Sequence, residues 1–241
     1  MTRTFKVFSV LLSYPTADMQ AAVPEFVGAI DREALLPASV RRQLDPLLNE
    51  IATSDLYDLQ ERYVLLFDRT RSLSLHLFEH VHGESRDRGQ AMIDLKALYE
   101  TGGLEIDAGE LPDFVPLFLE FLSTRQRSEA YDLLGQPAHV LAAMAERLRK
   151  RKSAYEAVFR ALVQLAATKP KADVVSVLLA EPDPDANDLT ALDAAWEDEP
   201  VNFGPNAGNS CKDTLIEKIR AGRRPAPGVA TPHSRPSLPR S

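Results

Sequence analysis

Apolar residues recur at intervals of three and four along most of the chain, which is the spacing of one face of an α-helix. Phe5, Phe8 and Leu11 define the first such face, and Leu59, Tyr63 and Leu66 define a later one. The alternation of apolar and polar residues that marks a half-buried strand is nowhere sustained. The pattern therefore predicts an all-α fold.

Proline, glycine and capping residues set the expected helix boundaries. Helices over 17–30 and 37–52 are expected to be interrupted near Pro24 and kinked at Pro46, and Asp55 supplies a start signal for the helix that follows. The remaining predicted helices lie at 4–12, 56–68, before Gly83, and over 84–101, 110–122, 138–150, 155–169 and 172–180. The helix over 110–122 is apolar almost all round and should be central to the core, with a bend at Pro116 that could leave a groove.

The predicted architecture is a single-domain helical bundle with a flexible C-terminal tail. Residues 1–180 should form the helical domain, and residues 181–221 an irregular segment that packs partly on the body through Trp196 and Phe203. Residues 222–241 are rich in proline and arginine, a composition typical of disorder.

Charge and cysteine content narrow the possible functions. The net charge is −7, and the acidic body argues against a nucleic-acid groove while it suits a basic partner. Cys211 is the only cysteine, which excludes a disulfide or a four-cysteine metal site within one chain. The single cysteine is typical of a cytoplasmic protein, and because no apolar run reaches about 18 residues we expect no spanning helix.

Polar, charged and aromatic residues are concentrated between Tyr63 and Leu122. His76, His80 and His82, with Glu79 and Glu84, resemble a metal site at first sight, because histidines four residues apart share a helical face. Their spacing departs from the zincin pattern, and histidines that bond to neighbouring carboxylates or backbone are the more common arrangement. A metal-binding helical protein or enzyme using these three histidines remains the alternative. The basic run RLRKRK is more typical of a solvated helix end than of a nucleic-acid patch.

Two long segments carry a resemblance to a known family. YVLLFDRTRSLSLHLFEHVHGESRDRGQAMIDL and LPDFVPLFLEFL, with LLSYP near the start and AWEDEPVNFG later, resemble the NarJ family of nitrate reductase assembly chaperones. This family is one of the redox-enzyme maturation chaperones, with the TorD and DmsD types. The resemblance spans most of residues 1–211 and leaves out the tail.

The resemblance implies an all-helical, non-catalytic protein that binds the apo catalytic subunit of nitrate reductase, including its N-terminal segment. Such a chaperone keeps the subunit competent for molybdenum cofactor insertion, prevents premature membrane docking and is not part of the final enzyme. It would hold no permanent cofactor or metal, bind its client through the N-terminal peptide and a second surface, and be a monomer or weak homodimer. Neither nucleic acid nor direct membrane insertion is implied.

The client-binding site is expected within the same central stretch. Tyr63, Phe67 and Phe114 should form apolar walls around an amphipathic client helix, and Arg86 and Arg88 should pair with acids of the rim. The rim acids are Asp68, Glu79, Glu84 and Asp87. The other candidate contacts are His76, His80, His82, Gly83 and Gln90.

Overall fold

The structure is a computed structural model that describes residues 2–82, 86–106, 109–181 and 183, with only the backbone at residues 82, 86 and 87. The described chain is α-helical, as predicted. Its helices are α1 (Arg3–Leu11), α2 (Ala17–Ala21), α3 (Val23–Glu33), α4 (Ala38–Gln43), α5 (Asp45–Thr53), α6 (Leu56–Phe67), α7 (Glu79–His82), α8 (Arg86–Thr101), α9 (Val115–Thr124), α10 (Arg127–Leu134), α11 (Ala138–Lys150), α12 (Glu156–Leu165) and α13 (Ala172–Leu179). A short 3-10 helix, Arg71–Leu73, lies between α6 and α7.

Several helices start at a capping side chain or with a proline in the first turn. The Asp55 carboxylate accepts a hydrogen bond of 2.8 Å from the Tyr57 backbone N–H at the start of α6. Pro24 lies in the first turn of α3 and Pro46 in the first turn of α5. A first-turn proline is tolerated because its missing N–H would have no partner within the helix. The stretch 37–52 is therefore two helices rather than one kinked helix.

One hydrophobic core runs through the described chain, which confirms the single-domain prediction. Helix α1 lies near its centre, with Phe5, Phe8 and Leu11 fully buried and with α3 and α9 packed against it. Helices α11 and α12 form the other large contact, and α12 also meets α4. Apart from Leu59 and Ala143, the buried hydrophobic residues form a single cluster that extends from Phe5 to Ala166.

The segment before α9 differs from the prediction. The helix begins at Val115 and not near Glu110, so Pro116 lies in its first turn and does not bend it. The reason is a tertiary contact. The Val115 N–H donates to the Leu75 carbonyl over 2.8 Å, and Phe114 forms an isolated antiparallel bridge with His76. Leu111 is consequently half exposed, while Asp113 is fully buried.

Two further features were not predicted. Helix α10 was missed because Arg127, Glu129 and Asp132 obscure a short apolar face that buries Ala130 and Leu134. The interpretation of RLRKRK as a solvated helix end is wrong for Arg147, which is only 2% exposed.

The buried guanidinium of Arg147 connects three elements through hydrogen bonds. The Arg147 Nη1 atom donates to the Ser72 carbonyl and Nη2 to the Leu178 carbonyl, both over 2.7 Å. These bonds connect α11 to the 3-10 helix and to the end of α13. Arg149 and Lys150 are exposed, as a solvated helix end requires.

Within the described residues, no helix has the length and apolar character needed to cross a membrane. Apart from residues 181 and 183, the segment 181–221 and the tail 222–241 lie outside them. The division of the chain into these segments stays a prediction.

Candidate functional site

A cleft of about 490 Å³ opens beside α6. Helix α6 supplies one wall, and the 3-10 helix with residues 74–79 supplies the opposite wall. Tyr14 packs on Tyr63 and Phe114 packs on His76. We call it the α6 cleft. It is lined by Tyr14, Tyr63, Val64, Phe67, Asp68, Thr70, Arg71, Ser74, Leu75, His76, Glu79 and Phe114.

A chain of four aromatic rings stabilises the α6 side of the cleft. Tyr14 meets Tyr63 edge to face with ring centroids 5.6 Å apart, Tyr63 meets Phe67 at 5.1 Å, and Phe67 meets Tyr155 at 5.1 Å. Such contacts add to the stability from apolar burial alone. Tyr14 is 49% exposed whereas Tyr63 and Phe67 are buried. Tyr14 therefore offers an aromatic surface to a ligand, and the other rings fix its position.

Burial also changes the chemistry of the two inner tyrosines. The Tyr63 hydroxyl donates to the Leu12 carbonyl over 2.9 Å, and burial raises the pKa of this hydroxyl. Burial raises the pKa of Tyr155 to about 12. Both groups stay neutral at physiological pH and act as structural aromatics rather than as acids or bases.

His76 and Asp113 form a polar junction on the opposite side of the cleft. The Asp113 carboxylate is fully buried, with one oxygen 3.2 Å from His76 Nδ1 and the other accepting a 3.0 Å hydrogen bond from the Phe78 backbone N–H. His76 packs on Phe114 with ring centroids 5.3 Å apart. The hydrogen bond with Asp113 raises the pKa of His76, and the Asp113 and Glu79 charges act in the same direction, against desolvation and the Arg88 charge.

His80 lies beneath the cleft rather than in its wall. Its Nε2 atom is 2.8 Å from the Ser74 carbonyl and the residue is buried. Desolvation lowers the pKa of His80, so the imidazole is neutral at physiological pH. This hydrogen bond fixes the backbone at Ser74, a residue that lines the cleft.

The histidines give no support to a metal centre in the described part of the chain. There, His76 and His80 bond to protein groups, and no cluster of three or more histidine, cysteine, aspartate or glutamate side chains is placed to hold an ion. The side chain of His82, the third histidine of the alternative site, lies outside the described residues.

Charged side chains of both signs occupy the rim. Arg88 is 3.5 Å from Glu79, the kind of ion pair expected for this arginine, and each side chain is 22% exposed. Asp68 is exposed at the end of α6, and Arg71 lies on the opposite wall. The rim can therefore present both acidic and basic groups to a bound segment.

The α6 cleft continues into a second groove along the same helix. This groove has a volume of about 450 Å³ and shares Tyr14 and Val64 with the cleft. Tyr57, at 80% exposure, and the acids Asp58 and Glu61 also line it, with Arg69 as the basic residue. The two openings together provide an extended surface with apolar and acidic character.

The structure brings together six of the predicted client-binding residues. Tyr63, Phe67, Asp68, His76, Glu79 and Phe114 line the α6 cleft. Arg88 reaches the rim through Glu79, His80 lies below, and Gln90 donates to Asp94 on α8 without lining the cleft. The side chains of His82, Glu84, Arg86 and Asp87, and Gly83, lie outside the described residues.

Several cleft residues were missed by sequence reasoning. Tyr14, Thr70, Arg71 and Ser74 come from the loop after α1 and from the segment between α6 and α7. Only the motif LLSYP gave a signal for Tyr14, and nothing in its spacing connects it with Tyr63. Their proximity is a consequence of tertiary packing.

Comparisons with known proteins point to one family. Residues 33–161 match the family described as nitrate reductase delta subunit. The chain is 44% identical over 212 residues to the nitrate reductase molybdenum cofactor assembly chaperone NarJ of Escherichia coli strain K12, which covers 87% of this chain and 88% of the relative. It is 38% identical over 215 residues to a probable chaperone of the same kind from that organism, NarW, covering 89% of this chain and 90% of the relative. A probable NarJ of Bacillus subtilis is 32% identical over 164 residues, covering 66% of this chain and 86% of the relative.

Proposed function

Because this chain belongs to the nitrate reductase delta subunit family, within which its relatives are NarJ assembly chaperones, we propose that it is a dedicated chaperone of nitrate reductase maturation. It binds the apo catalytic subunit and keeps it competent for molybdenum cofactor insertion. It also prevents premature docking of that subunit to the membrane and leaves when assembly is complete.

The observation that carries this proposal is the extent of the similarity. An identity of 44% over 212 residues, covering 88% of the NarJ chaperone, extends far beyond one shared segment. Function follows sites rather than folds, so this similarity is most informative where it includes the residues of a site. The matched family region, residues 33–161, contains every lining residue of the α6 cleft except Tyr14.

The α6 cleft supports a specific mode of client binding. We propose that the N-terminal segment of the client binds as an amphipathic helix, with its apolar face on Tyr14 and Phe114 and its basic residues near Asp68 and Glu79. Tyr63 and Phe67 are buried, so they shape the wall from behind. Glu84 and Asp87 extend the acidic rim in this proposal, and the client's remaining contacts lie on a second surface.

The same proposal makes the protein a binding partner rather than an enzyme. It holds no permanent cofactor, acts in the cytoplasm as a monomer or weak homodimer, and is absent from the mature enzyme. The buried, neutral tyrosines and the paired His76 and Asp113 fit this role, because each is engaged in holding the cleft walls.

Complementation tests the proposed function directly. The chain is expressed with its cognate nitrate reductase subunits in a host that lacks its own assembly chaperones, and the molybdenum content and activity of the purified enzyme are measured. We expect molybdenum-loaded, active enzyme only when the chain is present, and co-purification of the chain with apo subunit but not with mature enzyme. Equal molybdenum content with and without the chain would refute the proposal.

A further inference from the structure

A third groove lies between α1 and α3 and has a different character from the two beside α6. Its volume is about 530 Å³, and Val7, Val10 and Phe26 form much of its apolar floor. Arg3, Lys6 and Arg32 stand on its rim, with Glu25 as the one acid among its lining residues. We call it the α1/α3 groove.

The basic rim is available for a partner. Arg3 and Arg32 are exposed, and within the described residues neither guanidinium is paired with a carboxylate. Lys6 is paired with Glu120 of α9. Of the three grooves, this is the one with a basic majority, since Asp68 and Glu79 line the α6 cleft and Asp58 and Glu61 line its continuation.

A segment of the same chain has the complementary composition. Residues 185–199 carry six acidic side chains and no basic one. Their large apolar side chains, Leu189, Leu192 and Trp196, recur at the spacing of one helical face. An apolar face flanked by acids matches an apolar floor with a basic rim.

The chain between Asp183 and Trp196 gives the segment a long reach. The Asp183 carboxylate accepts hydrogen bonds from Ser72 Oγ over 2.6 Å and from Arg151 over 2.5 Å, which fixes the start of the segment beside the 3-10 helix. Six extended residues from Asp183 to Leu189 span roughly 20 Å, and seven helical residues from Leu189 to Trp196 add roughly 10 Å. Together they reach about three quarters of the diameter of a body of this size.

We propose that residues 189–199 bind in the α1/α3 groove of their own chain, with Trp196 on the apolar floor and Glu197 and Glu199 near Arg3 and Arg32. The interaction is intramolecular and lies away from the α6 cleft. It attaches the C-terminal part of the chain to α1 and α3. Trp196 emission reports this contact and client-peptide titration reports the proposed function, so the failure of one is distinguishable from the failure of the other.

Trp196 is the only tryptophan and reports on this contact in the unmodified full chain. We expect blue-shifted emission and weak acrylamide quenching, both independent of protein concentration. The double variant Arg3→Glu, Arg32→Glu should shift the emission to the red and increase the quenching constant severalfold. The control variant Arg42→Glu, Lys169→Glu changes the net charge equally, at exposed sites on α4 and in the loop before α13, and should leave both unchanged.

A charge-swap variant distinguishes a lost contact from a damaged fold. Glu197→Arg and Glu199→Arg, added to the Arg3→Glu, Arg32→Glu variant, should restore the blue-shifted emission. Emission typical of a fully hydrated indole in the wild-type chain would overturn the proposal. Blue-shifted emission that is unchanged in the Arg3→Glu, Arg32→Glu variant would also overturn it, because the segment would then bind elsewhere. Emission that depends on protein concentration would overturn it too, because the contact would then be with a second copy of the chain.

Discussion

Asp113 is the residue on which the geometry of the α6 cleft depends most directly. Its buried carboxylate accepts from the Phe78 N–H and contacts His76, and its backbone carbonyl accepts from the Leu77 N–H over 3.0 Å. A single side chain thus joins the segment before α9 to the segment before α7. These segments carry Phe114, His76 and Glu79 into the cleft.

Replacing Asp113 should destabilise the fold. Asp113→Ala leaves the buried Phe78 N–H without its acceptor, and we expect a loss of about 2 to 3 kcal/mol in the free energy of unfolding. Asp68→Ala, at an exposed position on the cleft rim, should change it by no more than about 0.5 kcal/mol. Urea denaturation measures both, and equal losses for the two variants would show that the Asp113 contacts contribute little.

His76 should make stability depend on pH. The hydrogen bond with Asp113 raises the folded pKa of His76 above its ordinary value of about 6.5, so the stabilising effect is fully present below that pH and is lost as pH rises through the folded pKa. His80 has the opposite sign, because its lowered pKa makes stability fall as pH drops below 6.5.

A matched pH series isolates the His76 effect. The free energies of unfolding of wild type and His76→Gln are compared between about pH 5 and 8.5, so that His80 contributes equally to both. We expect the wild-type advantage to be largest at the acidic end and to shrink with rising pH. An advantage that grows with pH would contradict the assigned pairing with Asp113.

At the scale of elements, periodic apolar faces were enough to predict most helices. Helices α6, α11 and α13 begin and end within a residue or so of their expected positions, because the spacing of their apolar residues is local in the sequence. Helix α6 also has the Asp55 cap. The start of α9 could not be predicted, since it depends on the hydrogen bond between Val115 and Leu75. The cleft residues also divide into those that local spacing predicts and those that tertiary packing brings in. Tyr63 and Phe67 were found from one helix, whereas Tyr14 and Arg71 enter through long-range packing.

Arg147 provides a test of how the elements are held together. Arg147→Met keeps the apolar stem but loses the bonds to the Ser72 and Leu178 carbonyls, which should cost about 2 to 4 kcal/mol in the free energy of unfolding. Arg149→Met, two residues away and paired with Glu146 at the surface, should cost at most about 1 kcal/mol. Thermal or urea unfolding of the two variants measures both losses. Equal losses would show that the Arg147 hydrogen bonds contribute little to the stability of the fold.

At the scale of the whole molecule, the proposed client site shares Tyr63 and Phe67 with the hydrophobic core. The core around α1, α9, α11 and α12 is continuous and apolar, while the α6 cleft and its continuation present exposed aromatics and acids on one side. In the proposed complex the client contacts the exposed Tyr14 and the rim acids, while Tyr63 and Phe67 stay buried behind them. Binding to the folded chain alone should therefore stabilise it.

The most direct test of this account is isothermal titration of the full chain with the first residues of its nitrate reductase catalytic subunit, about 15 of them or roughly four helical turns. We expect the peptide to bind and a scrambled peptide not to bind. Tyr14→Ala should weaken the affinity about tenfold or more, whereas Val177→Ala, an exposed apolar residue on α13, should not. Binding that is unaffected by Tyr14→Ala and by Asp68→Asn would contradict the assignment of the α6 cleft as the client site.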